Sequence, residues 1–421
     1  SIRIDTSYAM TIAALRKYKR ILILGAGIEG QASLAFLHAY VPNAIVAVAD
    51  KRDGPGYLEK QIDYDLIIKT PGIPKEQVTR PYTTATNIFF ANAKGMVIGV
   101  TGSKGKSTTS SLMYDILKEA GRKAHLVGNI GNPALDELLH GNTKEDVYVY
   151  ELSSYQLDDI VYSPHISVIT NFFPEHMDYH GGLAAYWEAK KKIIAHAKTS
   201  DYFVYHPRYP RLAQLAKKTK AIAVPGATDL PLADRDIPLL GLHNRENVQL
   251  AVRVARILGI EDKTIKRAIR SFVPLPHRLQ NVGTYKEITF YDDAISTTPQ
   301  STLRAIESFP NIGAMLLGGQ NRGYDFGDLA REIARRKIPV LVLFPDSGIA
   351  IASALKKVGY NPEAMLETRD MHDAVQFVYN KTPQQSVCLL STASPSYSVW
   401  KNFEEKGDLF QMYVKKFGEQ R

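Results

Sequence analysis

The sequence predicts an α/β protein of three domains built on mostly parallel sheet, the first and last Rossmann-like and the central one of P-loop ATPase type. Short apolar runs alternate with helical stretches along the whole chain, the order that gives a parallel sheet with helices on its faces. Two glycine-rich turns each stand between a strand and a helix. The 421 residues exceed what one hydrophobic core usually covers. Pro274-Leu275-Pro276 then interrupts both helix and sheet where a linker would fall. Three domains are expected, spanning 1–92, 93–274 and 275–421.

In chain order, Arg20 to Leu24 reads as a buried strand, Gln31 to Tyr40 as a helix, and Ala44 to Ala49 and Asp65 to Lys69 as further strands ended by Pro71-Gly72. A second unit opens near Met96. Its expected elements are a strand at Val97–Val100, a helix at Lys106–Ala120, strands at Val147–Leu152 and Ile166–Thr170, and a long helix at Leu183–Lys198. Helices from Asn244 to Leu258 and on to about Phe272 close it. The third unit carries strands at Ile288–Tyr291, Ala314–Leu317, Pro339–Phe344 and Ser386–Leu390, with a helix after Pro299. No internal repeat of 20–50 residues is present.

Composition narrows the class of protein. Hydrophobic residues at 45% and charged residues at 23% are the balance of a soluble globular chain. No apolar run approaches the roughly 18 residues a bilayer span requires, and no secretory leader pattern is visible. Cys388 is the one cysteine, which excludes an internal disulfide framework or a thiolate metal cluster and fits a reducing cytoplasm. The net charge of +9 is spread along the chain without a basic–aromatic recognition module. Anionic small molecules are therefore the expected partners, with neither nucleic acid nor integral membrane contact, and a monomer is expected.

Three motifs carry chemistry. Gly25-Ala26-Gly27-Ile28-Glu29-Gly30 follows a strand and opens a helix, and Asp50 ends the next strand 20 residues later. Glycines there let a backbone approach phosphate while an acid meets a ribose. A ligand-free tight turn would use the same glycines. The second motif is Thr101-Gly102-Ser103-Lys104-Gly105-Lys106-Ser107-Thr108, again between strand and helix. It departs from a strict phosphate loop in having Val100 five residues before Gly105, but keeps the lysine for β/γ-phosphates, the hydroxyl for Mg²⁺ and the helix N-terminus. ATP is the expected ligand. The third motif lies at two later strand ends, where Glu151 heads Glu151-Leu152-Ser153-Ser154-Tyr155-Gln156 and His176 lies in Glu175-His176-Met177-Asp178. Ligands collect at such ends, and a carboxylate with an imidazole there suits Mg²⁺. A capping or core role would be the ordinary fate of a lone histidine.

These residues resemble the Mur ligases of peptidoglycan synthesis, most closely their glutamate-adding branch. Further matching segments are Gly128-Asn129-Ile130-Gly131, Tyr186 to Lys190, Leu242 to Asn247, Pro276-His277-Arg278, Gly318-Gly319 and Lys401 to Glu404, so the likeness runs through nearly the whole chain. A folylpolyglutamate synthase shares the ATP apparatus but is less similar at Gly25–Gly30 and Lys401–Glu404. An NAD-dependent oxidoreductase would explain only the first glycine motif.

The resemblance implies a UDP-binding first domain, an ATP-binding second and a glutamate-binding third. Gly27, Ile28, Glu29, Asp50, Lys51, Arg52, Gly72, Asn129, Ser153, Gln156 and His176 would contact the UDP-linked substrate. Residues Thr101 to Thr108 with Asn244, Asn247, Arg278 and Asp293 would surround ATP. Two Mg²⁺ ions would be held by Ser107, Glu151, His176 and a Lys190 carbamylated by CO₂, with Lys106, His176 and Lys190 catalytic. Thr297, Arg322, Ser396 and Phe403 would hold glutamate. The implied reaction is ATP-dependent joining of glutamate to UDP-N-acetylmuramoyl-L-alanine through an acyl phosphate. Two positions depart from the family pattern: Ala294-Ile295 replaces a Ser-Lys pair, and Arg322 stands where a lysine is usual. D-glutamate is the first expectation for the acceptor, and L-glutamate the alternative.

Overall fold

The computed structural model describes residues 10–130, 132–172, 182–239, 241–274, 276–321 and 323–420. Among these, three sheets form the frame. In the first, β1 (Arg20–Leu24), β2 (Ile45–Ala49), β3 (Leu66–Lys69) and β4 (Tyr82–Thr83) run parallel in the order β2-β1-β3-β4. The β1 side chains alternate between two apolar layers. Ile21 and Ile23 join Phe36, Leu37, Leu66 and Ile68 on one face, while Leu22 and Leu24 join Ala49 and Ile67 on the other. Both faces are covered, which is why the strand reads as a continuous apolar run.

The second sheet contains β5 (Met96–Thr101), β6 (Lys123–Gly128), β7 (Asp146–Glu151), β8 (Ile166–Ile169), β9 (Tyr202–Tyr205) and β10 (Ile222–Pro225). All are parallel, in the order β10-β9-β8-β5-β7-β6. The chain lays β6 and β7 on one side of β5 and β8 to β10 on the other, so the sheet reverses direction between β5 and β8. Open α/β sheets bind ligands at the carboxyl ends beside such a reversal. The first sheet has the same feature between β1 and β3.

The described chain divides into two compact units, one comprising Ser1–Pro238 with His243–Phe272 and the other Leu239–Leu242 with Val273–Arg421. The first two sheets share the first unit because one apolar cluster runs through both, taking in Phe36, Ile88, Phe89, Leu135, Tyr148 and Tyr150. Phe89 meets Tyr148 and Tyr150 edge-on, at 5.1 and 5.2 Å between ring centres. Truncating such a ring to alanine costs about 3–5 kcal/mol.

The second unit holds the third sheet: β11 (Gln280–Tyr285), β12 (Ile288–Asp292), β13 (Ile312–Gly318), β14 (Val340–Phe344), β15 (Ala364–Glu367) and β16 (Ser386–Leu390). Their order is β11-β12-β16-β13-β14-β15, with only β11 antiparallel. A C-terminal helix, Phe403–Glu419, covers one face through Phe410 and Val414.

Most expected elements fall within two residues of their observed bounds. The helix expected at Leu183–Lys198 is shorter, ending at Lys191 before a 3-10 turn at Lys192–Ile194. Strands β6, β10 and β15 lie at sheet edges and carry polar or exposed residues, so they lack the apolar run that marks the inner strands. No described helix is long and apolar enough to cross a membrane.

Candidate active site

The turn after β5 is stitched into a fixed cradle. Gly102 and Gly105 have φ of 149° and 77°, in the left-handed region that favours glycine. A Cβ on Gly102 would strike Thr170 Oγ1, and one on Gly105 would strike the Asn247 amide. The segment after β8 ties the loop down: Ser103 N donates to Asn171 O at 3.2 Å, and Lys104 N to Asn171 Oδ1 at 2.8 Å. Thr170 Oγ1 and Asn171 Nδ2 donate in turn to Lys104 O, at 2.6 and 2.9 Å. Helix Lys106–Glu119 starts at once, and Gly105 offers no side-chain cap. Its first N–H groups therefore face outward, a ready anion site.

Two lysines converge on this loop. Lys106 Nζ donates to Gly102 O at 3.0 Å and Ser103 O at 3.2 Å. Lys190 is 1% exposed and lies 88 residues beyond Gly102, yet its Nζ donates to the same Gly102 O at 2.9 Å and sits 4.7 Å from the centre of the Tyr186 ring. Glu151, at the end of the neighbouring strand β7, is 3% exposed, and its Oε2 has no partner among the described residues. An unsatisfied buried carboxylate oxygen is costly unless something occupies it. Ser107 stands in the first turn of the helix, and Asn244 and Asn247 are buried 3.3 Å apart on helix Leu242–Ile257, with Asn247 against Gly105. Thr101, Thr108, Lys104 and Ser103 complete the loop. His176 lies outside the described residues, as does Arg322.

The turn after β1 has a different character. Gly25 and Gly30 are packed: a Cβ on Gly25 would strike Thr70, and one on Gly30 would strike the Gly25 carbonyl. Gly27 and Gly72 instead face open space, with nothing within 4 Å of a built Cβ. Asp50 Oδ2 accepts from Ala26 N at 2.9 Å, and Arg52 Nε donates to its Oδ1 at 2.7 Å. These bonds hold the Asp50 carboxyl down at about 2. Ile28 is exposed, and Lys51 begins the short turn after β2.

Gln156 and Ser153 form a capping box in which Ser153 N and Oγ donate to Gln156 Oε1 at 2.9 and 3.0 Å. The Gln156 amide is left to donate to Glu29, whose carboxyl is pushed up to about 7, chiefly by burial. Asn129 N donates to the backbone carbonyl of Glu151 at 3.2 Å.

In the second unit, Asp293 directly follows β12, with its carboxyl bonded to Leu279 N at 3.2 Å and Ser391 Oγ at 2.8 Å. Burial raises it to about 6, against the pull of Arg278. Ser396 is 3% exposed and its Oγ has no partner among the described residues. Thr297 and Phe403 are half-buried. Sequence reading gave no role to two groups here. His277 is clamped between Asp292 Oδ2, at 2.7 Å, and the Phe403 ring, and Lys406 is fully buried with its Nζ on Thr392 Oγ1 at 2.5 Å. The buried Lys69–Asp159 pair of the first unit, at 2.8 Å, was equally silent. Each depends on a partner distant in sequence, so no local spacing announces it.

A phosphate cradle with convergent lysines and an orphaned carboxylate defines a nucleotide-using enzyme. Residues 100–230 match the Mur ligase middle domain. Over 93% of its length the chain is 33% identical to UDP-N-acetylmuramoylalanine–D-glutamate ligase of Streptococcus agalactiae, covering 96% of that protein. It is 32% identical, over 94% of its length and 97% of the relative's, to UDP-N-acetylmuramoyl-L-alanine–L-glutamate ligase of Salinispora tropica. The chain belongs to the Mur ligase family and is a ligase. Its fold is also that of the MurF ligase of Thermotoga maritima solved with ADP, at a TM-score of 0.62 and 16% identity, covering 96% of this chain and 97% of that one.

Proposed function

We propose that this chain is an ATP-driven amide ligase of peptidoglycan synthesis that adds glutamate to UDP-N-acetylmuramoyl-L-alanine. D-glutamate is the acceptor of first choice, as in the streptococcal relative, and L-glutamate the second reading, favoured by the similarly matched Salinispora protein. The observation that carries the chemistry is that Oε2 of Glu151, on the strand next to a loop where Lys106 and Lys190 converge, has no partner among the described residues.

The residues fit a divalent cation, since a buried carboxylate oxygen, a helix-start hydroxyl and a lysine able to become a carbamate are hard oxygen donors or their precursors. Glu151, Ser107, Lys190 and His176 would hold Mg²⁺, which when bound offsets charge on the phosphates. Lys106 swings from the Gly102 and Ser103 carbonyls to the β/γ-phosphates, and the outward N–H groups at the start of helix Lys106–Glu119 hold the same oxygens. An oxygen of the alanyl carboxylate attacks the γ-phosphorus, ADP leaves, and a mixed acyl phosphate forms. The neutral amine of glutamate then attacks the carbonyl carbon, and phosphate departs as the amide closes. No side chain serves as a covalent nucleophile, so positioning and charge compensation carry the rate. Asn244, Asn247, Arg278 and Asp293 would contact ATP, and Thr297, Ser396, Phe403 and Arg322 the glutamate.

The test is to supply ATP and UDP-N-acetylmuramoyl-L-alanine with D- or L-glutamate in separate reactions and identify the product. Ligation of one enantiomer, with ADP release requiring both co-substrates, is expected. ADP release on glutamate alone would contradict the reading.

A further inference from the structure

The C-terminal helix Phe403–Glu419 buries a lysine on the face that carries Phe410 and Val414. Lys406 is 0% exposed, and among the described residues its Nζ has one hydrogen-bond acceptor, Thr392 Oγ1 at 2.5 Å. The carboxylates whose charge acts on it, Asp292 and Asp293, are committed to other donors. Asp292 is bonded to His277 Nδ1, Gln411 Nε2 and Ala294 N, and Asp293 to Leu279 N and Ser391 Oγ. Taking an ammonium out of water is costly, and a methionine would fill the same space without that cost. The lysine is explained by what its bond holds.

What it holds is the loop after β16. Thr392 Oγ1 accepts from Lys406 and donates to Ser394 O at 3.1 Å, so the ammonium fixes the direction in which that hydroxyl points. The turn is unfavourable by itself, because Ala393 has a φ of 56°, in the left-handed region that alanine seldom adopts. Neighbouring elements pin the backbone: Gly318 N donates to Thr392 O at 2.8 Å, Ala393 N to Ser296 O at 3.1 Å, and Gln320 N to Pro395 O at 2.7 Å. Further on, Trp400 N donates to Ser396 O at 2.9 Å, and the Trp400 ring centre lies 5.9 Å from Lys406 Nζ. Lys406 therefore meets the loop on both sides of Ser396. The Ser396 hydroxyl is buried and has no partner among the described residues. An orphaned hydroxyl in a loop pinned this closely is a group held ready for a ligand.

We propose that Lys406 is a positioning residue for the acceptor amino acid: through Thr392 and Trp400 it sets where the Ser396 hydroxyl stands, so that use of glutamate depends on it and use of ATP does not. This rests on the reading that seats glutamate at Ser396.

Steady-state kinetics of the full chain test it, with KM measured separately for glutamate, ATP and UDP-N-acetylmuramoyl-L-alanine. Lys406→Met and Thr392→Val each remove the bond from one side and should raise KM for glutamate about tenfold, the loss expected of one hydrogen bond to a charged group. The double variant should be no worse than either single one, since both act through the same bond. Thr392→Ser keeps the hydroxyl and should stay near wild type. The other two KM values should hold in every variant. Equal rises in all three KM values, or single effects that multiply in the double variant, would overturn the proposal. If Lys406→Met does not fold, the contrast between Thr392→Val and Thr392→Ser decides. Ser396→Ala separates the two readings: a raised KM for glutamate there, with Lys406→Met and Thr392→Val unchanged, would overturn the proposal and leave glutamate at Ser396. An unchanged KM in Ser396→Ala would overturn both.

Discussion

The two glycine-rich turns of the first unit share a plan and differ in how they handle charge. Both follow the first strand of a parallel sheet, open a helix without a side-chain cap, and lie beside the reversal in strand order. At the turn after β5, Lys106 and Lys190 share the Gly102 carbonyl, and Oε2 of Glu151, at the end of the neighbouring strand, has no partner among the described residues. The turn after β1 has an acid, Glu29, whose carboxyl burial pushes up to about 7. In the proposed reading one turn serves a charge that moves during reaction, and the other a charge that only has to be held. A phosphate-binding turn therefore need not imply catalysis, and the side chains brought in from other strands decide which it is.

Removing the cations should do most damage. Lys106→Ala is expected to lower kcat by about 10³-fold or more, since that ammonium meets charge developing on the transferred phosphoryl group. Lys190→Ala should abolish ligation at a comparable level, and stripping CO₂ from the assay should slow the wild type. Near-normal turnover of Lys190→Ala would remove the carbamate from the scheme. Glu151→Gln should cost about 10²-fold or more in kcat and raise the Mg²⁺ requirement, read from turnover against metal concentration. Unchanged metal dependence would break the contrast between the two turns.

Glycine substitutions should sharpen it further. Gly105→Ala puts a methyl into the Asn247 amide at a left-handed φ and should lower thermal stability as well as ATP affinity. Gly27→Ala meets open space at a φ of −69°, so stability should hold while affinity for the UDP-linked substrate falls.

The smallest effects concern stability against pH. Glu29 titrates higher folded than its ordinary 4.5, so the folded chain binds more protons between about 4.5 and 7. Its stabilising contribution is complete below that window and is lost as pH rises through it. Lys406 moves the other way, lowered from 10.5 to about 7 by burial although Asp292 and Asp293 oppose the shift. The unfolded chain then binds more protons between about 7 and 10.5, and stability rises with pH there, by at most about 1.4 kcal/mol per unit. Denaturant titrations should show Glu29→Gln flattening the first slope and Lys406→Met the second.

Most inner strands and both glycine turns were legible in the sequence because each is a local pattern, an apolar run buried on both faces or glycines at fixed spacing before a helix. The inner strand β9, with Tyr202 and Tyr205 half-buried, was not placed. Lys190 was legible only through resemblance, since nothing in Lys190-Lys191-Lys192 distinguishes the one side chain that reaches Gly102 from its neighbours. Edge strands β6, β10 and β15 were missed because half-exposed residues carry little apolar signal, whereas the edge strand β2 was expected from its apolar run. Glu29 was expected as a contact of the UDP-linked substrate, but the rise of its carboxyl comes from burial, opposed by Gln156 and Lys69, both more than 35 residues away. His277 and Lys406 were hidden for the same reason.

The most direct test of carboxyl activation uses UDP-N-acetylmuramoyl-alanine labelled with ¹⁸O in the alanyl carboxylate. An acyl phosphate requires that one labelled oxygen leave with the inorganic phosphate at each turnover, with the other retained in the amide. Unlabelled phosphate alongside normal amide formation would contradict carboxyl activation by ATP in the Lys106 cradle.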